Sequence, residues 1–112
     1  MSELIRLIDH RRQQRTVYFS RTELTQLLSL YSRRVMSGEW RDYAIDHRGG
    51  MAVFSVFRHT HESPLFAVAK IVGRAARQWE FHLFSGPRRL RQTGSLAEIL
   101  QVFERQLRLV TT

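Results

Sequence analysis

Two imidazoles and a carboxylate fall within four residues at His59, Thr60, His61 and Glu62, and in extended backbone His59 and His61 project to the same side, as two metal ligands would. A mononuclear site needs a third protein ligand and often a fourth. His82 and scattered carboxylates are the candidates to supply one, and no spacing gathers them. We read the segment as a polar loop between strands and expect no metal and no cofactor. Asp42 and Asp46 stand four apart, on one face of a strand, with Glu39 before them, and paired carboxylates can do acid–base work. Nothing orders them around a substrate. Turn capping and pairing with neighbouring arginines account for them.

Serine nucleophile motifs, a phosphate-cradling glycine loop and a dinucleotide fingerprint are missing from the sequence. With no cysteine there is no disulfide framework, thiolate zinc site, iron–sulfur cluster or cysteine nucleophile. The expectation is a protein that is not an enzyme; a small enzyme or a metal-binding protein is the weakest of the readings.

Eighteen basic residues against ten acidic give a formal charge of +8, and all the basic residues except Lys70 are arginine. Such an excess favours an acidic partner, because the summed field attracts anions at long range. An arginine preference this complete equally reflects genomic base composition. Two clusters concentrate the charge: Arg11, Arg12 and Arg15 near the start, and Arg88, Arg89 and Arg91 before the last helix. If the chain ends lie together, these six form one stripe for phosphates, with RNA or DNA the leading ligand. The helix starts are not phosphate sites. Ser20-Arg21-Thr22-Glu23 and Ser95-Leu96-Ala97-Glu98 both fit a capping box, which sets a carboxylate where an anion would bind.

The elements that position these residues follow from periodicity. Residues 1–15 are a basic arm or a short helix, with Leu4, Leu7 and Ile8 on one helical face. Thr16 to Phe19 is β-branched and aromatic and reads as a short strand. Leu24, Leu27, Leu28, Tyr31 and Val35 then form one stripe of a helix from about 21 to 37, closed by Gly38. A hairpin follows, turning at His47-Arg48-Gly49-Gly50 into a strand from Met51 to Arg58. Apolar residues fill both faces of that strand and of Leu65 to Val72, as in strands covered twice. Trp79, Phe81 and Leu83 alternate with Glu80 and His82, the pattern of a strand buried on one face. A short strand around 88 to 93 precedes the last helix, whose stripe is Leu96, Ile99, Leu100, Phe103, Leu107 and Val110.

A length of 112 residues fits one domain. The order of elements predicts a single α+β domain over 16–110: an antiparallel sheet meander of about five strands bracketed by two amphipathic helices. The expected core contains Leu24, Leu28, Tyr31, Phe54, Val56, Trp79, Phe81, Ile99 and Phe103. No apolar run approaches the roughly 20 residues of a membrane span, and Met1 to Ile8 is too short and too charged, at Glu3 and Arg6, for a signal core. We expect a cytoplasmic protein without a membrane partner.

Val17-Tyr18-Phe19, the Glu23-Leu24 helix with Leu28 and Tyr31, the run from Gly38 to Asp46, and Ala52-Val53-Phe54-Ser55-Val56-Phe57-Arg58 together resemble an uncharacterised alphaproteobacterial domain family over about residues 16 to 108. The resemblance implies a bacterial, cytoplasmic setting and assigns no functional residue. The order helix, antiparallel strands, helix is also similar to that of a double-stranded-RNA-binding domain, with His61 to Val68 in place of the loop and strand that reach the minor groove. The last helix departs from that pattern, opening on Ser95-Leu96-Ala97-Glu98 where such domains carry phosphate-gripping lysines.

A competing expectation comes from the sheet. Two helices most easily cover one face, which leaves Trp40, Val53 and Phe57 over as an interface, and an uncovered apolar face marks association. That reading is a homodimeric adaptor, or a structural protein docking to a larger one. Its counterpart is that the N-terminal segment, with Leu4, Leu7 and Ile8, folds back over the face within one chain.

Overall fold

The computed structural model describes residues 16–59, 63–73 and 78–111, with side chains as far as Arg105. Helix α1 (Arg21–Met36) is followed by strands β1 (Asp42–Arg48), β2 (Met51–Phe57), β3 (Phe66–Val72), β4 (Trp79–Ser85) and β5 (Arg88–Thr93), and by helix α2 (Leu96–Thr111). The strands form one antiparallel sheet in sequence order, the expected α+β meander. The first hairpin turns on two residues, Gly49 at φ +36° and Gly50 at φ +96°. Two positive φ angles match the twist of the flanking strands, and glycine takes them without steric cost.

The first capping box forms as its spacing predicts. Glu23 N–H donates to Ser20 Oγ at 3.1 Å, and Ser20 N–H donates to Glu23 Oε1 at 2.7 Å. The second does not: Ser95 N–H donates to Thr93 Oγ1 at 3.2 Å, and the Glu98 carboxylate instead takes the Arg91 guanidinium at 2.6 Å. A strong cation on the adjacent strand outcompetes the neutral backbone donor.

Both helices pack on the same face of the sheet. Leu27 and Leu30 of α1, with Ile99 and Phe103 of α2, share one cluster with Phe54, Val56, Val68, Phe81 and Leu83, each such side chain stabilising by roughly 1.5–3 kcal/mol. Two expectations change here. The stripe of α1 is turned so that Leu27, Leu30 and Arg34 are buried while Val35 is exposed. Arg34 belongs inside because its guanidinium donates to the Phe103 carbonyl and to Glu39 (3.0 Å) and lies 5.3 Å from the Trp40 ring centre. Trp79, expected in the core, is 38% exposed at the start of β4, where its ring covers the Lys70 ammonium at 4.3 Å.

Thr16 to Phe19 is not a strand. Val17 and Phe19 still point inward, and both are buried. The Tyr18 carbonyl between them accepts from Lys70 Nζ at 2.9 Å, so a lysine takes the place of a strand partner. β4 also departs from expectation. Phe81, His82, Leu83 and Phe84 are all buried, so the strand is covered on both sides rather than one.

Candidate binding groove

Pairing register assigns the second face. Opposite one another across β1 to β4 lie Asp46, Val53, Ala69 and His82 in one row, and Ala44, Ser55, Ala67 and Phe84 in the next. Directly paired residues point to the same side of a sheet, so these rows lie opposite the two helices. Met51, Val53, Ala69, Ile71 and Phe84 form a separate apolar cluster there, with Ala67 packed against it.

In the second row three small side chains, Ala44, Ser55 and Ala67, stand side by side before Phe84. A row of small residues beside bulky ones leaves a trough. The structure shows a groove of about 570 Å³ there, with Val53, Phe57, Ala67 and Phe84 as apolar floor and Asp46 and Arg48 on its β1 wall. Ser63-Pro64 and Gly86-Pro87 close its far end. A second hollow of about 570 Å³ shares Ser63, Pro64 and Gly86 with it and carries Arg58 and His59.

The residues singled out in the sequence are dispersed. Trp40 is not left over: it is 2% exposed, packed on the helix side with its ring centre 5.5 Å from that of Phe103 and 6.3 Å from that of Phe66. Its aromaticity serves the junction of α1, β1 and α2. Val53 and Phe57 do lie on the second face, Val53 buried and Phe57 half-buried at the groove.

Arg88, Arg89 and Arg91 do not share a face. A bulge opposite Leu83 and Phe84 pairs Arg91 with Leu83 and Arg89 with Phe84, and Arg88 pairs with Ser85. Arg88 and Arg91 are therefore on the helix side and Arg89 on the other. Arg91 is held by Glu98, whose carboxyl is kept below the usual glutamate range by hydrogen bonds from Arg91 and from Thr93. Charged side chains on an outer strand also discourage edge-to-edge pairing with another sheet.

Arg11, Arg12 and Arg15 lie outside the described residues, as do His61 and Glu62. His59 is exposed in the loop after β2. Among the described residues no three potential metal ligands come together. Asp42 and Asp46 are exposed on the second face at the β1 edge. Sequence reasoning missed Ala67, Phe84 and Arg48 as parts of one site. The usable signal was the pairing of small residues on adjacent strands, which is invisible until the register is known.

A five-stranded antiparallel meander with both helices on one face and an apolar trough on the other defines a small α+β domain with a concave sheet surface. The chain belongs to the DUF2794 family, described as a protein of unknown function, whose model matches residues 17–106. No curated protein and no solved structure matches the chain. Among the described residues no helix is long and apolar enough to cross a membrane.

Proposed function

We propose that this domain is a non-enzymatic, cytoplasmic protein-interaction module that takes an apolar peptide segment of a partner protein into the groove on the second face. The trough formed by Ser55 and Ala67 beside Val53 and Phe84 carries this reading. Its volume suits a concave site for one or a few anchoring side chains, since ligand sites span roughly 300–1,000 Å³. Asp46 and Arg48 at the rim supply one charge of each sign to orient a segment that brings a bulky apolar anchor. The test is selection from a displayed library of random peptides against the full chain and against Ala67→Leu, which fills the trough. Peptides with an apolar anchor that bind the former and lose affinity for the latter support the reading. Enrichment indifferent to Ala67→Leu overturns it, and sedimentation showing self-association abolished by Ala67→Leu assigns the groove to a second copy instead.

A second reading, nucleic-acid binding, draws on the neighbouring hollow, where Arg58 and His59 lie beside Ser85 and Ser85 is the register partner of the exposed Arg88. Phosphate contacts would make affinity fall steeply with salt. Labelled RNA and DNA titrated at two ionic strengths, with Arg58→Glu and Arg88→Glu as controls, test it; no binding at low salt removes it.

A further inference from the structure

The second face has two halves. At one end it opens as the groove. At the hairpin end Met51 (2% exposed), Ala69 (0%), Ile71 (1%) and His82 (0%) are shut off from solvent. Among the described residues, the apolar cluster at this end consists of strand residues from β2, β3 and β4, while both helices pack on the opposite side.

We propose that the chain's own N-terminal segment, residues 1–15, occupies this hairpin-end half, seating Leu4, Leu7 and Ile8 over Met51, Ala69 and Ile71. Three observations converge on this occupant. The first is where the segment joins the fold: Tyr18 lies beside His47, with ring centres 4.7 Å apart, next to the β1–β2 turn. Residues 9–15 in extended form reach about 23 Å. That is enough to round the β1 edge and arrive over β3, two strand spacings of about 4.8 Å further in.

The second is shape and polarity. Leu4, Leu7 and Ile8 recur at helical three- and four-residue steps. A helical turn or two of that length covers a patch three strands wide, and Ala69, with almost no side chain, leaves room for a bulky residue above it. The third is charge. Arg6, Arg11, Arg12 and Arg15 outnumber Glu3 and Asp9 in the segment, whereas this side of the sheet carries carboxylates at Asp46 on β1 and Glu80 on β4 against the cation Arg48 beside Met51. This occupant sits beside the one proposed for the groove: Met51, Ala69 and Ile71 do not line the groove, although they share one apolar cluster with its Val53 and Phe84.

The chain has no cysteine, so one can be introduced for labelling without ambiguity. Ser2→Cys in the full chain, carrying a nitroxide, is mixed with excess unlabelled chain at natural isotope abundance, and amide signals are compared with the nitroxide oxidised and reduced. The expected result is loss of most of the signal from Met51, Ala69 and Ile71, with Leu27 and Leu30 of α1 spared. No loss at the sheet amides overturns the proposal. So does loss seen only when nitroxide-bearing chains of natural abundance are mixed with isotope-labelled chains lacking the nitroxide, since the occupant is then a second copy. Ser2→Cys does not touch the trough, so either result leaves the Ala67→Leu experiment to be judged by itself.

Discussion

One carboxylate oxygen, Glu23 Oε1, accepts both the Ser20 backbone N–H and the Lys70 ammonium, each at 2.7 Å. The N-terminal cap of α1 is thereby tied to the middle strand of the sheet. Lys70 is 4% exposed, and its other partners are the Tyr18 carbonyl and the Trp79 ring. An ammonium in that position holds helix, sheet and the segment before the helix together.

Removing Glu23 leaves that ammonium buried without its counter-charge and also opens the cap. Glu23→Ala is therefore expected to destabilise by about 3–5 kcal/mol, whereas Lys70→Met, which leaves an apolar chain under Trp79 and a carboxylate still bonded to the cap, costs less. Urea unfolding of the two variants and of their combination measures the difference. A loss in the double variant equal to the sum of the two single losses would show that the ion pair is not the source.

Arg34 is a test of geometry rather than charge. Its guanidinium meets Glu39, the Phe103 carbonyl and the Trp40 ring at once, and a lysine cannot reproduce that planar fork. Arg34→Lys is expected to lose about 1–3 kcal/mol and Arg34→Ala more. Near-ultraviolet circular dichroism, to which Trp40 contributes alongside Trp79, should weaken in both.

Glu98 titrates below an ordinary glutamate because Arg91 and Thr93 hydrogen-bond its ionised form. A carboxyl depressed in the folded state adds stability above its unfolded pKa, and that stability is lost as pH falls through the folded value. Arg91→Gln should return the Glu98 midpoint toward the ordinary range and flatten the acid limb of the stability curve. Side-chain carboxyl chemical shifts followed against pH read the midpoint, and urea unfolding at several pH values reads the acid limb; an unchanged midpoint would assign the shift elsewhere.

The hairpin glycines are expected to differ. Gly49→Asn places in the first turn position a residue that tolerates positive φ, where an added Cβ meets nothing within 4 Å, and should be neutral or mildly stabilising. Gly50→Val at φ +96° should cost about 1–2 kcal/mol or more. Thermal unfolding of both variants checks the order.

Local pattern in the sequence determined the elements. Ser20 and Glu23 marked the start of α1, Gly49-Gly50 the hairpin, and the doubly apolar runs of β2 and β3 the interior of the sheet, because caps, turns and side-chain alternation act over a few residues. Tertiary structure decided the rest. It chose the side of the sheet for both helices, brought Arg34 and Trp40 inside, and turned Glu98 from its backbone cap to Arg91. A bulge of one residue in β5 moved Arg91 from the side of Arg89 to that of Arg88, and pairing register aligned Ser55 with Ala67 to open the groove. Each of these depends on which residue stands opposite which across strands or helices far apart in sequence, and a one-residue shift of register would send every side chain of a strand to the other face.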